Sequence, residues 1–182
     1  MTRVLRNRLL VAAFVVVAFA SAPRLNDGVV WAITATVFPL MVLALWVARP
    51  FHRARAELKK QQYEEAAASL AEFETSIAQV PWKRLLAGTA VGLWTFSALA
   101  AARNTLGAAR LEQGRLDDAE THFKAALQHD AGYAVPWGNL AVVAASRGDA
   151  AAAEEARSKA ASMGFKPKVL SAVIKDKLAS VK

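Results

Sequence analysis

The 182-residue sequence contains no cysteine, which rules out a disulfide framework, a thiolate zinc site, a haem-attachment motif and a thiol nucleophile, and leaves the redox compartment unmarked. Histidine is scarce too. His52, His122 and His129 are scattered, with no His-Glu-x-x-His spacing and no carboxylate set to hold a metal beside them; His122 reads as a helix-surface residue. No glycine-rich loop follows a strand, so no phosphate cradle is expected, and no Gly-x-Ser-x-Gly elbow presents a nucleophile. Acidic residues number 15 against 23 lysines and arginines, a net charge of +8. The acidic pairs Glu64-Glu65, Asp117-Asp118 and Glu154-Glu155 are adjacent in sequence; on helices such neighbours point in different directions and form solvated faces, not catalytic dyads. These absences argue against an enzyme, a bound cofactor or metal, and a small-molecule substrate.

Apolar residues are what the chain has in excess: 55% of it is hydrophobic, more than an ordinary soluble domain carries. Residues 29–48 hold no charge, and 20 residues at 1.5 Å each cover a hydrocarbon core of roughly 30 Å. Trp31 and Trp46 lie near the two ends, where indoles prefer the membrane interface, and Pro39 would kink such a span without forbidding it. Residues 9–22 are also uncharged and follow Arg3, Arg6 and Arg8; counted from residue 4, with the arginines reaching back to the surface, they make a second span at about 4–22. Ala22-Pro23 and Asn26-Asp27-Gly28 then form a tight loop between two spans. The rival is a cleaved signal peptide, with Ala18-Phe19-Ala20 before Ser21.

Lysine and arginine bias sets the orientation. The short loop holds Arg24 against Asp27, whereas Arg49, Arg53, Arg55, Lys59 and Lys60 follow residue 48, so the segment after the anchor is expected in the cytoplasm. The same basic segment, 49–80 with its helical second half, suits anionic lipid headgroups. Because so much positive charge flanks the spans, a nucleic-acid role is disfavoured. Residues 85–102 are uncharged again and are expected, within 81–102, as one long apolar helix running without a breaker toward residue 114. It either packs against its neighbours, lies on the membrane, or forms a third span. In the last case the segment after it lies outside the cytoplasm.

From Arg103 to Gly164 the sequence repeats itself. Leu106, Gly114, Ala119 and Ala126 return 34 residues later as Leu140, Gly148, Ala153 and Ala160. Small residues at Gly107, Ala119, Ala126, Ala141, Ala153 and Ala160 let two antiparallel helices approach, while Leu106, Phe123, Trp137 and Leu140 fill the gaps. Gly114 and Gly148 suit the left-handed position that ends a helix. Asp117, Asp118 and Asp149 put negative charge where the next helix begins, and Pro136 suits a first turn.

The 34-residue period, with Leu106-Gly107 and Ala119-x3-Phe123 in one copy and Trp137-x2-Leu140 in the other, resembles the tetratricopeptide repeat family. Arg110, Arg157 and Phe165 depart from the pattern, standing where it has Tyr, Phe and Pro. Residues 54–79, with Tyr63-Glu64-Glu65-Ala66 and Leu70, look like a worn further copy whose first helix begins near Phe51. Residues 166–182 read as an amphipathic capping helix built on Val169, Leu170, Val173, Ile174 and Leu178.

Together the apolar runs and the resemblance give an expected all-α chain: an N-terminal transmembrane hairpin (1–48) from the runs, then, as the resemblance implies, a short solenoid with two clear repeats (103–165) and its cap. It implies binding of a protein partner through the first helices, at Asn104, Thr105, Ala108, Leu111 and Glu112 in one copy and Val135, Asn139, Val142 and Ser146 in the other. That groove is expected to be small, neutral and partly apolar, suited to an apolar or amphipathic helix. The whole looks like bacterial inner-membrane proteins that carry a repeat domain behind a two-span hairpin. The expected role is a membrane-anchored scaffold, with an accessory subunit of a larger membrane complex or an envelope biogenesis helper as the alternatives.

Overall fold

A computed structural model describes residues 27–92, 94–165 and 168–180. The expected helix at 4–22 and the rival cleavage site before Ser21 lie outside the described residues. Among these residues the chain forms nine helices and no strand: α1 (Asp27–Val47), α2 (Arg49–Lys59), α3 (Tyr63–Ala78), α4 (Pro81–Ala90), α5 (Ala98–Glu112), α6 (Leu116–His129), α7 (Ala134–Ser146), α8 (Ala150–Ser162) and α9 (Lys168–Ser180).

Three helical hairpins, α2/α3, α5/α6 and α7/α8, account for the most extensive packing. Small residues make them possible: Ala119, Ala126, Ala141, Ala153 and Ala160 are fully buried, and a Cβ on Gly107 would stand 2.6 Å from the Phe123 ring. Gly114 and Gly148 adopt φ of +75° and +78°. The Arg115 N–H then donates to the Arg110 carbonyl at 2.9 Å, and the Asp149 N–H to the Ala144 carbonyl at 3.0 Å, the six-to-one bond of a Schellman stop. The α2/α3 turn uses the same device with a side chain in it, since Gln61 sits at φ +61° and the Gln62 N–H reaches the Glu57 carbonyl at 3.0 Å.

That shared turn sets the first hairpin in register with the other two. Ala54, Gln61, Ala66 and Leu70 stand 53 residues before Gly107, Gly114, Ala119 and Phe123. Ala54, Ala66 and Leu70 are fully buried, as their counterparts Ala119 and Phe123 are. The first hairpin is therefore in step with the other two once 19 additional residues are set aside, and those residues, 79–97, are α4 with the connections on either side of it.

The departures from the repeat pattern have structural reasons. Arg110 forms an ion pair with Glu64 of α3 at 3.0 Å and donates to Gln113, joining neighbouring hairpins. Arg157 folds onto Glu154 at 2.5 Å on its own helix. Phe165 occupies the space left by Gly138, where a Cβ would meet its ring at 2.5 Å. Arg103 of α5 pairs with Glu74 of α3 at 2.8 Å, and Arg147 bridges to Asp117 and Glu120 of α6. Ile174 and Leu170 of α9 close the end of the stack over Ala141, Ala145, Ala153 and Ala156.

The long helix expected over 81–102 does not form. Pro81 starts α4 after extended Val80, and the helix gives way at Gly92, whose φ is +135°. Ser97 then caps α5 by accepting from the Ala100 N–H at 3.2 Å. The returning chain crosses α4 at Gly88, where a Cβ would lie 2.2 Å from the Phe96 carbonyl oxygen. An uncharged run registers hydropathy; the breakers in it are Gly92 and the capping Ser97, which hydropathy does not register.

α1 and α2 meet at a 50° bend, next to Pro50, which has no N–H to give to the carbonyl four residues back. The bend thus lies beyond the expected kink site at Pro39, which sits inside α1. Val47 and Ala48 enter the core of the first hairpin with Phe51, Leu70, Phe73 and Ile77. The rest of α1 is largely uncovered, with Trp31, Phe38, Met41, Leu45 and Trp46 all exposed. Among the described residues no single helix is long and apolar enough by itself to cross a membrane; Thr34–Val47 with Arg49–Lys59 reaches that composition only as a bent pair.

Candidate binding groove

The first helix of each hairpin, α2, α5 and α7, lies beside the next, and together they line a groove of about 490 Å³. Helical spacing puts Phe51, Arg55, Leu58 and Lys59 of α2 and Ala101, Asn104, Thr105 and Ala108 of α5 on this face. Tyr133 and Val135 enter at the start of α7, and Val91, Gly92, Trp94 and Thr95 come from the connection before α5. Trp94 stacks edge-on against Phe165 with ring centroids 5.2 Å apart. Thr95 donates to the Asp130 carboxylate at 2.7 Å and accepts from the Ser97 N–H at 3.0 Å, so the inserted segment is pinned at the groove's edge.

Of the nine residues expected to line a binding face, Asn104, Thr105, Ala108 and Val135 line this groove. Asn139 reaches it indirectly, donating to the Asn104 carbonyl oxygen at 3.0 Å. Asn104 is itself buried. The pair therefore ties α5 to α7 and is spent on itself, so these two amides are a staple under the groove more than free recognition groups. Leu111 packs into the hairpin core with Ala119, Phe123 and Val143, and Val142 packs against the cluster closed by Leu170 and Ile174. The Ser146 hydroxyl donates to the Val142 carbonyl of its own helix. Glu112 is exposed near Tyr63, whose hydroxyl is pushed up by desolvation and then by that carboxylate.

The expectation of a neutral groove is corrected by α2. Arg55 and Lys59 are exposed and line it, and no carboxylate pairs with either among the described residues. The Arg55 guanidinium sits 6.0 Å from the Phe51 ring centroid. Burial pushes the Tyr133 hydroxyl up to about 12, with the Arg55 charge pulling the other way, so Tyr133 stays neutral at physiological pH. The sequence signal for these residues was the register itself: Phe51, Arg55 and Leu58 stand where Asn104, Ala108 and Leu111 stand one hairpin later.

His122 also differs from expectation. It is half-buried against α5, with Nδ1 buried and unpartnered. Desolvation, then Arg103 and Arg110, hold its pKa below the ordinary value, so it is a neutral packing residue.

A family model described as tetratricopeptide repeat matches residues 110–163, from the end of α5 through α8, and supports assignment of the repeated segment to that superfamily. Such repeats are typically non-catalytic modules for protein–protein interaction. No curated protein matches the chain.

Proposed function

We propose that this protein is a membrane-anchored adaptor that holds a partner protein through the groove of its three hairpins. The observation that carries the binding reading is the open face shared by α2, α5 and α7, in which unpaired Arg55 and Lys59 stand beside Phe51, Val135 and the Thr105 hydroxyl. Those groups suit an extended or helical segment that offers one apolar side chain and a carboxylate. Truncating a buried anchor in such a contact costs about 2 kcal/mol or more, whereas cations at the rim act mainly on association rate and salt dependence.

Anchoring rests on α1. It runs 21 residues, and its large apolar side chains face outward along most of its length; water tolerates only small contiguous patches of that kind. Insertion of α1 in a bilayer covers them. Confinement to a surface then raises the groove's effective concentration toward membrane partners. Lysine and arginine bias supports a groove on the cytoplasmic side of the membrane. Reporter fusions after Gln79 and at Lys182 test this placement, and opposite compartments for the two overturn it.

The binding test places a photoreactive amino acid at Thr105 in the full-length chain in native membranes. The expected result is one discrete protein adduct that is lost on Arg55→Glu with Lys59→Glu and absent when the probe sits at Asp117. Equal capture from Thr105 and Asp117, or none from Thr105, overturns the groove assignment. The exposed face of α1 also suits a subunit buried in a larger membrane complex. Sizing after mild detergent extraction separates the two, since an adaptor also runs as a small species.

A further inference from the structure

The insert between the first and second hairpins is built the wrong way round for water. α4 turns its small residues inward: Ala87 and Gly88 are buried, Ala87 in one core with Leu43 and Val47 of α1 and with Ala48 just beyond it, and Gly88 under the Phe96 carbonyl. Its large ones face out. Leu85 is 75% exposed and Trp82 48%, and with exposed Thr89 they fall at i, i+3 and i+7 on one stripe. Phe96, where the chain returns over Gly88, is 50% exposed. Among the described residues, every exposed large hydrophobic outside α1 belongs to this insert, apart from Val173. A solenoid has no need of the insert, because the three hairpins keep register across it.

We propose that α4 is a second membrane contact: a helix lying in the interface, with Trp82 and Leu85 in the outer acyl region and anionic lipid phosphates held in the cleft beside it. The inference rests on the reading of α1 as the anchor. Two observations choose lipid as the occupant. First, α4 packs directly on α1, so its outward stripe lies next to side chains already assigned to a bilayer, at the end marked by Trp46. Second, a cleft of about 350 Å³ opens where the apolar surface stops, lined by Trp46, Val47, Arg49, Pro50, Ser76 and Lys83, with Glu72 the one carboxylate. Neither Arg49 nor Lys83 is in an ion pair among the described residues. Two cations from different helices against one acid, beside an indole, match a layer of negative headgroups. The consequence is mechanical. One span leaves the solenoid free to swivel about α1; an interfacial α4, sharing a core with α1 and the first hairpin, fixes how the groove faces relative to the membrane.

The absence of cysteine makes the test clean. Full-length protein carrying Leu85→Cys, Leu45→Cys or Asp117→Cys is labelled with an environment-sensitive NBD probe. Each is reconstituted in vesicles of phosphatidylcholine with and without phosphatidylglycerol, with brominated acyl chains as quenchers. The expected result is strong quenching at Leu45, shallower quenching at Leu85 that grows with phosphatidylglycerol, and none at Asp117. Arg49→Gln and Lys83→Gln should each weaken the docking of α4 by roughly fivefold in anionic vesicles. Quenching at Leu45 with none at Leu85 overturns the inference and leaves the anchor standing. No quenching at either position removes the anchor itself. A blue-shifted but unquenched Leu85 probe means that a protein surface covers α4, and quenching indifferent to phosphatidylglycerol rejects the headgroup cleft; both overturn the proposal as stated.

Discussion

Replacing Gly107 with alanine sets two effects of similar size against each other. On helix propensity alone, an interior glycine changed to alanine gains about 1 kcal/mol. In the folded chain the added Cβ would stand 2.6 and 2.7 Å from Cε1 and Cδ1 of Phe123 and 3.1 Å from Cζ. Phe123 is fully buried and its ring has no route to solvent, so α5 and α6 must move apart. Overpacking by a methyl group typically costs about 1–3 kcal/mol, and we expect a net loss of up to about 2 kcal/mol once propensity is credited. In a chain of this size that lowers Tm by about 2–4 °C for each kcal/mol, readable by circular dichroism on the detergent-solubilised protein. The other hairpins show how the conflict is relieved: where Gly107 faces Phe123, the matching positions pair Ala54 with Leu70 and Ala141 with Arg157. In a Phe123→Leu background, Gly107→Ala should therefore be neutral or gain up to about 1 kcal/mol. A higher Tm for Gly107→Ala alone would refute the packing argument.

The turn of the first hairpin offers the opposite experiment. Gln61 holds φ +61° where its counterparts are glycines, so Gln61→Gly should stabilise by about 1 kcal/mol and Gly114→Gln should cost about as much, measured by the same melts. Asn139→Ala leaves the buried Asn104 carbonyl oxygen without its 3.0 Å donor, a loss of about 1–3 kcal/mol; amide exchange should quicken in both α5 and α7. For His122 the sign follows from a pKa depressed by burial and then by Arg103 and Arg110, with Asp118 opposing them and Arg115 adding to them. The unfolded chain takes up this proton first, so its contribution is complete above about pH 6.5 and is lost as pH falls through that value toward the folded pKa. His122→Gln should flatten that part of the Tm profile between pH 7.5 and 5.5, whatever His129 contributes.

Much of the solenoid was legible because its constraints are local. A helix that must cross another at one spot needs a small residue there, and a helix that must stop needs a residue tolerant of positive φ. Gly107, Gly114, Ala119 and their partners 34 residues on state those needs one position at a time. The worn copy was harder to place, since Gln61 occupies the turn without the glycine that would announce it. The groove was legible only in part, because helical periodicity tells which residues share a face and not whether that face is already occupied. Leu111 and Val142 sit at plausible spacing yet are claimed by Phe123 and by the α9 cap. Asn104 and Asn139 face the right way and are consumed by each other.

The linear order of residues determined by itself that the chain is helical, that it repeats, and that its apolar content gathers in runs. What only the tertiary structure decided was which of those runs are covered. The stretch 85–102 divides between an exposed stripe on α4 and the buried start of α5, and Arg55 and Lys59 enter the groove from a hairpin separated from it by an insert. Hydropathy and period are sums over neighbours in sequence, whereas exposure and charge at a site depend on which distant helices come to lie alongside.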